Sequence, residues 1–284
     1  MDYVYSALRR EMGASVVETA AVPITEPEPA PVAPQAIPIT PPALQPVTAG
    51  KVIPLPRSCD RLFALRPEKK DKDRMQALEQ FRVLRSRVLE VMRSQGKRTL
   101  MVTSAVSNEG KTVTSINLAI ALSQLQGMKV LLVDADLRKP GVAALLGVEY
   151  ECGLQHYLQS QASLSQITVR FDCNLSFIPS AGIGQSSAEL LHSARMQALM
   201  DMARRDFDVA IFDAPPLLPL ADARVTANLV DGVLFCVRAG STSGTTVNEA
   251  IDLVRTKLIG SVLACADSGA SGQYYYIAGS DGKE

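Results

Sequence analysis

Five short runs restrict this chain more than anything else in it: TLMVTS (99–104), KVLLVDAD (129–136), DVAIFDAPP (208–216), GVLFCVRAG (232–240) and SVLACA (261–266). Each is apolar and rich in β-branched residues, with almost no polar alternation. A strand with one solvated face would alternate, so these read as strands buried on both faces. NLSFIPS (174–180) is a sixth, more mixed strand. Longer helical patterns lie between the runs, most clearly near 111–126, 187–205 and 244–258. Strand-helix-strand repetition predicts an α/β fold, a mainly parallel sheet flanked by helices on both sides.

The rest of the chain is organised around that block. Residues 23–56 hold 11 of the 17 prolines. Proline fixes φ and removes a donor, so this stretch predicts an extended, disordered linker. Val4, Ala7, Leu8 and Met12 before it repeat at helical spacing. The expected domains are a short amphipathic helix (1–15), a flexible Pro-rich linker (16–60), the folded domain (61–267) and a flexible tail (268–284). Leu78, Phe81, Leu84, Val88 and Val91 give the folded domain a first helix with one apolar face. Glu79, Arg82 and Arg85, three apart, form a polar ridge beside it. Residues 66–98 carry eleven Lys/Arg against five Asp/Glu, but the whole chain has a formal net charge of zero. That balance argues against a nucleic-acid protein working through a global positive field. No apolar run is long enough for a membrane helix, and MDYVYSALRREMG lacks the pattern of a secretory signal. Five scattered cysteines without a CxxC pair predict reduced thiols in a cytoplasmic protein.

The chemistry is written in TLMVTSAVSNEGKTVTSINLAIAL. A buried strand enters a loop, the loop ends in Gly110-Lys111-Thr112, and a helix follows, the context a P-loop requires. Backbone N–H groups of Ser107, Asn108, Glu109, Gly110, Lys111, Thr112 and Val113, with the positive end of the helix dipole, suit phosphate oxygens. Lys111 adds a compact charge for the β- and γ-phosphates, and Thr112 offers a hydroxyl to Mg²⁺. The common pattern GxxxxGK[ST] has glycine where this chain has Ala105. Two further runs end in carboxylates, VLLVDADLRKP with Asp134 and Asp136, and FDVAIFDAPP with Asp213. Acidic residues at C-terminal strand ends are placed to hold Mg²⁺ directly or through water. A lone Asp there reads equally as a helix cap. Together with the loop, they predict a P-loop NTPase fold using ATP and Mg²⁺.

The order of these motifs resembles the bacterial tyrosine kinases, the autokinases of capsule and exopolysaccharide machinery, over roughly residues 75–276. GLQHYL (153–158), AELLHSARMQAL (188–199) and PLADA (219–223) share in the resemblance. It implies a protein-tyrosine kinase that phosphorylates C-terminal tyrosines in trans and regulates polymer synthesis and export. Lys111, Asp134 and Asp136 would be catalytic, with Asp134 accepting the tyrosine proton or tuning the metal shell. Thr112, Asp134 and Asp213 would surround the metal. Glu79, Arg82 and Arg85 match the family's ExxRxxR motif, which implies a ring-like homo-oligomer. Tyr274, Tyr275 and Tyr276, in GQYYYIAGSDGKE, become the phosphoacceptors. The implied partners are a membrane-embedded polysaccharide co-polymerase as activator, which would recruit a cytoplasmic protein to the inner face of the membrane, and a tyrosine phosphatase. A partitioning-type P-loop ATPase is the alternative. Those carry a lysine five residues before the P-loop lysine, where this chain has Val106. A nucleotide-dependent interaction module of a polysaccharide assembly complex is the other.

Overall fold

The computed structural model describes residues 52–54, 71–181, 187–218 and 221–265. The elements run β1 (Val52–Ile53), α1 (Asp71–Ser94), β2 (Thr99–Ser104), α2 (Lys111–Ser123), β3 (Val130–Asp134), α3 (Val142–Leu146), α4 (Leu154–Leu158), α5 (Leu164–Ile167), β4 (Val169–Phe171) and β5 (Leu175–Ile178). They continue with α6 (Ser187–Leu191), α7 (Ala194–Asp206), β6 (Val209–Asp213), α8 (Ala221–Leu229), β7 (Gly232–Arg238), α9 (Gly244–Asp252), a 3-10 turn (Arg255–Lys257) and β8 (Leu258–Ala264). The strands form an eight-stranded sheet in the order β1-β4-β5-β3-β6-β2-β7-β8. Among the described residues only β4 and β5 pair antiparallel; the expected mainly parallel α/β sheet is present.

Each central strand feeds two cores. On β2, Leu100 and Val102 join α1 and α2 through Leu84, Val88, Met92, Ile116 and Leu122. Met101 on the same strand faces the other way, towards Met196, Leu199 and Met200 of α7. Burial on both faces is what removed polar alternation from these runs. From β2 the chain crosses through α2 to β3 on one side. From β6 it crosses through α8 to β7 on the other side of β2. The strand order thus reverses around β2, opening a crevice at its C-terminal end.

Four expectations need correction. SVLACA (261–266) is expected to be buried on both faces, yet β8 is the outermost strand beyond β7 and its Leu263 is 47% exposed. Val52 and Ile53 fall in the span 16–60 expected to be a flexible linker, yet they pair in parallel with Arg170 and Phe171. The Asp172 N–H donates to the Ile53 carbonyl at 3.1 Å. Two β-branched residues suffice at a sheet edge, and Pro54 is tolerated there because an outer edge needs no donor. The single helix expected over 187–205 is two helices. Ser193 leaves the helical path and its hydroxyl accepts from the Met196 N–H, starting α7 afresh. The helix expected over 244–258 stops at Asp252, and Leu258 already belongs to β8. The expected helix over 1–15 and the tail over 268–284 lie outside the described residues. Among the described residues, no helix is long and apolar enough to cross a membrane.

Candidate active site

The crevice at the end of β2 is lined first by the loop from Ala105 to Gly110. Ala105 is buried and does not adopt positive φ; the left-handed positions in this loop are Asn108 (φ 66°) and Gly110 (φ 87°). Glycine is therefore not demanded at 105 but is at 110, where a Cβ would also lie 3.2 Å from the Ala264 Cβ. Glu109 turns inward. One carboxylate oxygen accepts from the Val106 N–H at 3.1 Å, and the other from the Thr242 hydroxyl at 2.7 Å. Its side chain braces the loop, leaving only its backbone for a ligand.

α2 starts at Lys111 with no side-chain cap, and the Thr114 N–H makes the first helical bond, to Gly110. The N–H groups of residues 111–113 therefore have no partner within the helix, the arrangement that binds phosphate. Lys111 Nζ lies 3.5 Å from Asp136 Oδ2 across the crevice. Asp136 Oδ1 accepts from the Lys139 N–H at 2.9 Å.

Asp213 ends β6 inside this cluster. Its Oδ1 accepts from the Ser115 hydroxyl at 2.9 Å, and Thr112 also hydrogen-bonds to it. Burial pushes the Asp213 carboxyl up to about 6, against the opposing pull of Lys111 and the two hydroxyls. Its Oδ2 is buried and has no hydrogen-bond partner among the described residues. A buried carboxylate oxygen left open beside a threonine hydroxyl fits Mg²⁺ or a water that it holds. No three His, Cys, Asp or Glu among the described residues gather into a cage. Mg²⁺ at phosphate sites does not need one, because waters and phosphate oxygens complete its shell.

Asp134, at the end of β3, is held by backbone N–H groups. Its Oδ2 accepts from the Gly141 and Val142 N–H groups, both at 3.1 Å, and its Oδ1 from the Asp136 N–H at 3.3 Å. It caps the start of α3. Burial, then the charge of Asp213, pushes its carboxyl up to about 8. Asp134 and Asp213 sit side by side in register on β3 and β6, so one charge there disfavours the other.

Lys111, Thr112, Asp134, Asp136 and Asp213 thus come together. Ser107 and Asn108 lie exposed on the loop above them. Glu79, Arg82 and Arg85 are elsewhere, on α1. Glu79 and Arg82 pair at 3.2 Å on the surface, while Arg85 donates to the Ala121 carbonyl at 2.8 Å and ties α1 to α2. With Val83, Ser86 and Arg87 they line an open hollow of about 450 Å³. Tyr274, Tyr275 and Tyr276 lie outside the described residues. Sequence reasoning missed three residues of the site: Ser115, Thr242 and Asp222, whose Oδ2 accepts from Arg138 Nε at 2.6 Å. Ser115 was findable, lying one helical turn after Lys111 on the same face.

Comparison with known proteins agrees with this geometry. The family model AAA_31, an AAA domain, matches residues 97–258. The tyrosine-protein kinase YwqD of Bacillus subtilis (strain 168) is 34% identical over 207 residues, covering 72% of this chain and 87% of YwqD. The succinoglycan biosynthesis transport protein ExoP of Rhizobium meliloti (strain 1021) is 32% identical over 74% of this chain, which spans only 28% of ExoP. Among solved structures, the kinase domain of the Escherichia coli tyrosine kinase ETK superposes with a TM-score of 0.65 at 30% identity, covering 70% of this chain and 80% of that one. With the P-loop, the acidic strand ends and these matches in agreement, the chain belongs to the AAA_31 domain family and, by its relatives, to the bacterial tyrosine kinases.

Proposed function

We propose that this protein transfers the γ-phosphoryl group of Mg-ATP to tyrosine hydroxyls, its own Tyr274, Tyr275 and Tyr276 among them. The convergence of Lys111, Thr112, Asp136 and Asp213 on one crevice carries the reading. The loop amides and Lys111 would hold the β- and γ-phosphates, with Lys111 leaving Asp136 as it turns to them. Thr112 and Asp213 would hold Mg²⁺, which when bound neutralises developing phosphate charge. A free tyrosine has a pKa of about 10 and needs a base or charge nearby at neutral pH. Asp136, freed from Lys111, and Asp134 are the carboxylates at hand. Asp134, with three N–H groups already on it, is suited to fixing the loop and tuning the charge around the metal.

Ala264 packs against Gly110, so the chain leaves β8 beside its own phosphate loop. From Ala266 to Tyr274 an extended chain spans at most roughly 26–29 Å, enough to reach a closely packed neighbour. We assign transfer in trans within a ring-like homo-oligomer. Its contact would be the α1 surface of Glu79, Arg82, exposed Val83 and Arg87, with Arg85 stiffening α1 from behind. The likeness to ExoP supports a role in exopolysaccharide or capsule assembly. There a membrane-embedded co-polymerase would act as activator, holding the protein at the inner membrane face, and a tyrosine phosphatase would reset the tail. The test is anti-phosphotyrosine detection after incubation with Mg-ATP and the activator's cytoplasmic segment. Signal is expected in the native chain and none in Lys111→Met. Signal retained in Lys111→Met would overturn the reading.

A further inference from the structure

Arg138 is the one cation of the DADLRKP loop held by a buried partner. Asp222, in the first turn of α8, is 2% exposed, and its Oδ2 takes the Arg138 Nε–H at 2.6 Å. The Arg138 side chain is still 46% exposed, and among the described residues its two Nη groups donate to nothing. An arginine gripped at Nε presents its terminal nitrogens as a fixed fork, the shape that matches two oxygens of a phosphoryl group. It stands two residues after Asp136, which is near enough to act on it electrostatically, and Asp136 touches Lys111.

Charge balance says what the fork is for. Asp136 and Asp213 lie with Lys111 at the crevice where the outermost phosphate would lie, and Asp134 pairs in register beside Asp213 with its oxygens taken by backbone N–H groups. In the described structure Lys111 is the cation in contact with this acidic edge, and it engages Asp136. When Lys111 turns to the phosphates, Mg²⁺ would balance Asp213, but Asp136 loses its cation, and Arg138 is the charge left within reach of it. We propose that Arg138 binds the γ-phosphoryl oxygens of ATP through its Nη groups and that Asp222 is the positioning residue that aims it. This rests on the nucleotide reading of the crevice and adds a residue that tells ATP from ADP.

The experiment is equilibrium binding of fluorescently labelled ADP and of labelled AMP-PNP, a non-hydrolysable ATP analogue, with Mg²⁺, to the full chain. The native protein binds both. Arg138→Ala is expected to weaken AMP-PNP by about 10-fold or more, the scale of a hydrogen bond to a charged group, and leave ADP within about twofold. Asp222→Asn shifts AMP-PNP in the same sense, and the double variant is no weaker than Arg138→Ala. If Asp222→Asn does not fold, Arg138→Lys takes its place, since it keeps the charge but cannot hold Asp222 and present a fork together. It should then behave like Arg138→Ala. Equal loss of both nucleotides, no loss of either, or additive losses in the double variant would overturn the assignment, because a purely structural pair does not sense the third phosphate. A native chain that binds neither nucleotide would instead overturn the nucleotide reading itself.

Discussion

Glu109 shows how much of this site is set by side chains that never meet the ligand. A carboxylate in a phosphate-binding loop is electrostatically unwelcome unless it points away, and here both oxygens are occupied by Val106 and Thr242. Glu109→Gln keeps the shape and loses the charge-assisted bonds, so the loop should loosen. Nucleotide affinity should fall by about 10-fold, read by ADP titration, with thermal unfolding little changed. The buried carboxylates make a second prediction. Asp134 at about 8 and Asp213 at about 6 both exceed the ordinary value of 3.8. Each holds its proton more tightly folded than unfolded. Stability from them is full below about pH 4 and is lost as pH rises to about 8. The melting temperature of the nucleotide-free protein should fall across that window, and Asp213→Asn should flatten the part near pH 6. The ligand-facing residues were legible because Gly110-Lys111-Thr112 and the acidic strand ends sit in fixed register with the strands. The bracing ones were not. In the sequence Glu109 counts for its backbone N–H alone, not for a bracing side chain, and Thr242 is one hydroxyl in the run AGSTSG. Asp222 near a helix start reads as a cap, and nothing local pairs it with Arg138, 84 positions away.

Among the elements, those with strong tertiary burial were the ones written plainly in the sequence. β2, β3, β6 and β7 are apolar on both faces because helices cover both. α1 showed its apolar stripe because one face packs on α2 and the sheet. β1 and β4 left little trace, since strands of two and three residues carry no period, and β1 is embedded among prolines. α3, α4 and α5 have five residues or fewer, too short for a 3.6-residue repeat to register. In α9 the apolar spacing runs on through Leu253, Val254 and Leu258, though the helix stops at Asp252, because Leu258 joins the sheet. α1 should be energetically integral to the domain. Met92 is 1% exposed in the core shared with α2. Met92→Ala should cost about 2–5 kcal/mol, measured by urea unfolding.

At the scale of the molecule, β8 ends beside the phosphate loop, the proposed acceptor tyrosines follow it in sequence, and α1 carries a polar surface suited to a neighbour. Mixing separates transfer between subunits from transfer within one. Lys111→Met keeps its tyrosines and lacks the phosphate lysine, whereas a variant with Phe at 274, 275 and 276 keeps the loop and lacks acceptors. Together they should restore tail phosphorylation on the Lys111→Met chain. Each phosphate adds a charge of about −1.5 to −2, and adjacent ones repel, so sizing should show the proposed oligomer loosening after Mg-ATP. An unchanged assembly with a fully phosphorylated tail would remove that part of the account. The most direct test of the central claim is the phosphate balance of a single-turnover reaction with Mg-ATP and the activator segment. ADP is counted against phosphotyrosine mapped to residues 274–276. The account predicts close to one phosphotyrosine per ADP, and neither product in Lys111→Met. ADP formed with free phosphate and an unmodified tail would contradict it, and would make this chain a nucleotide-hydrolysing switch.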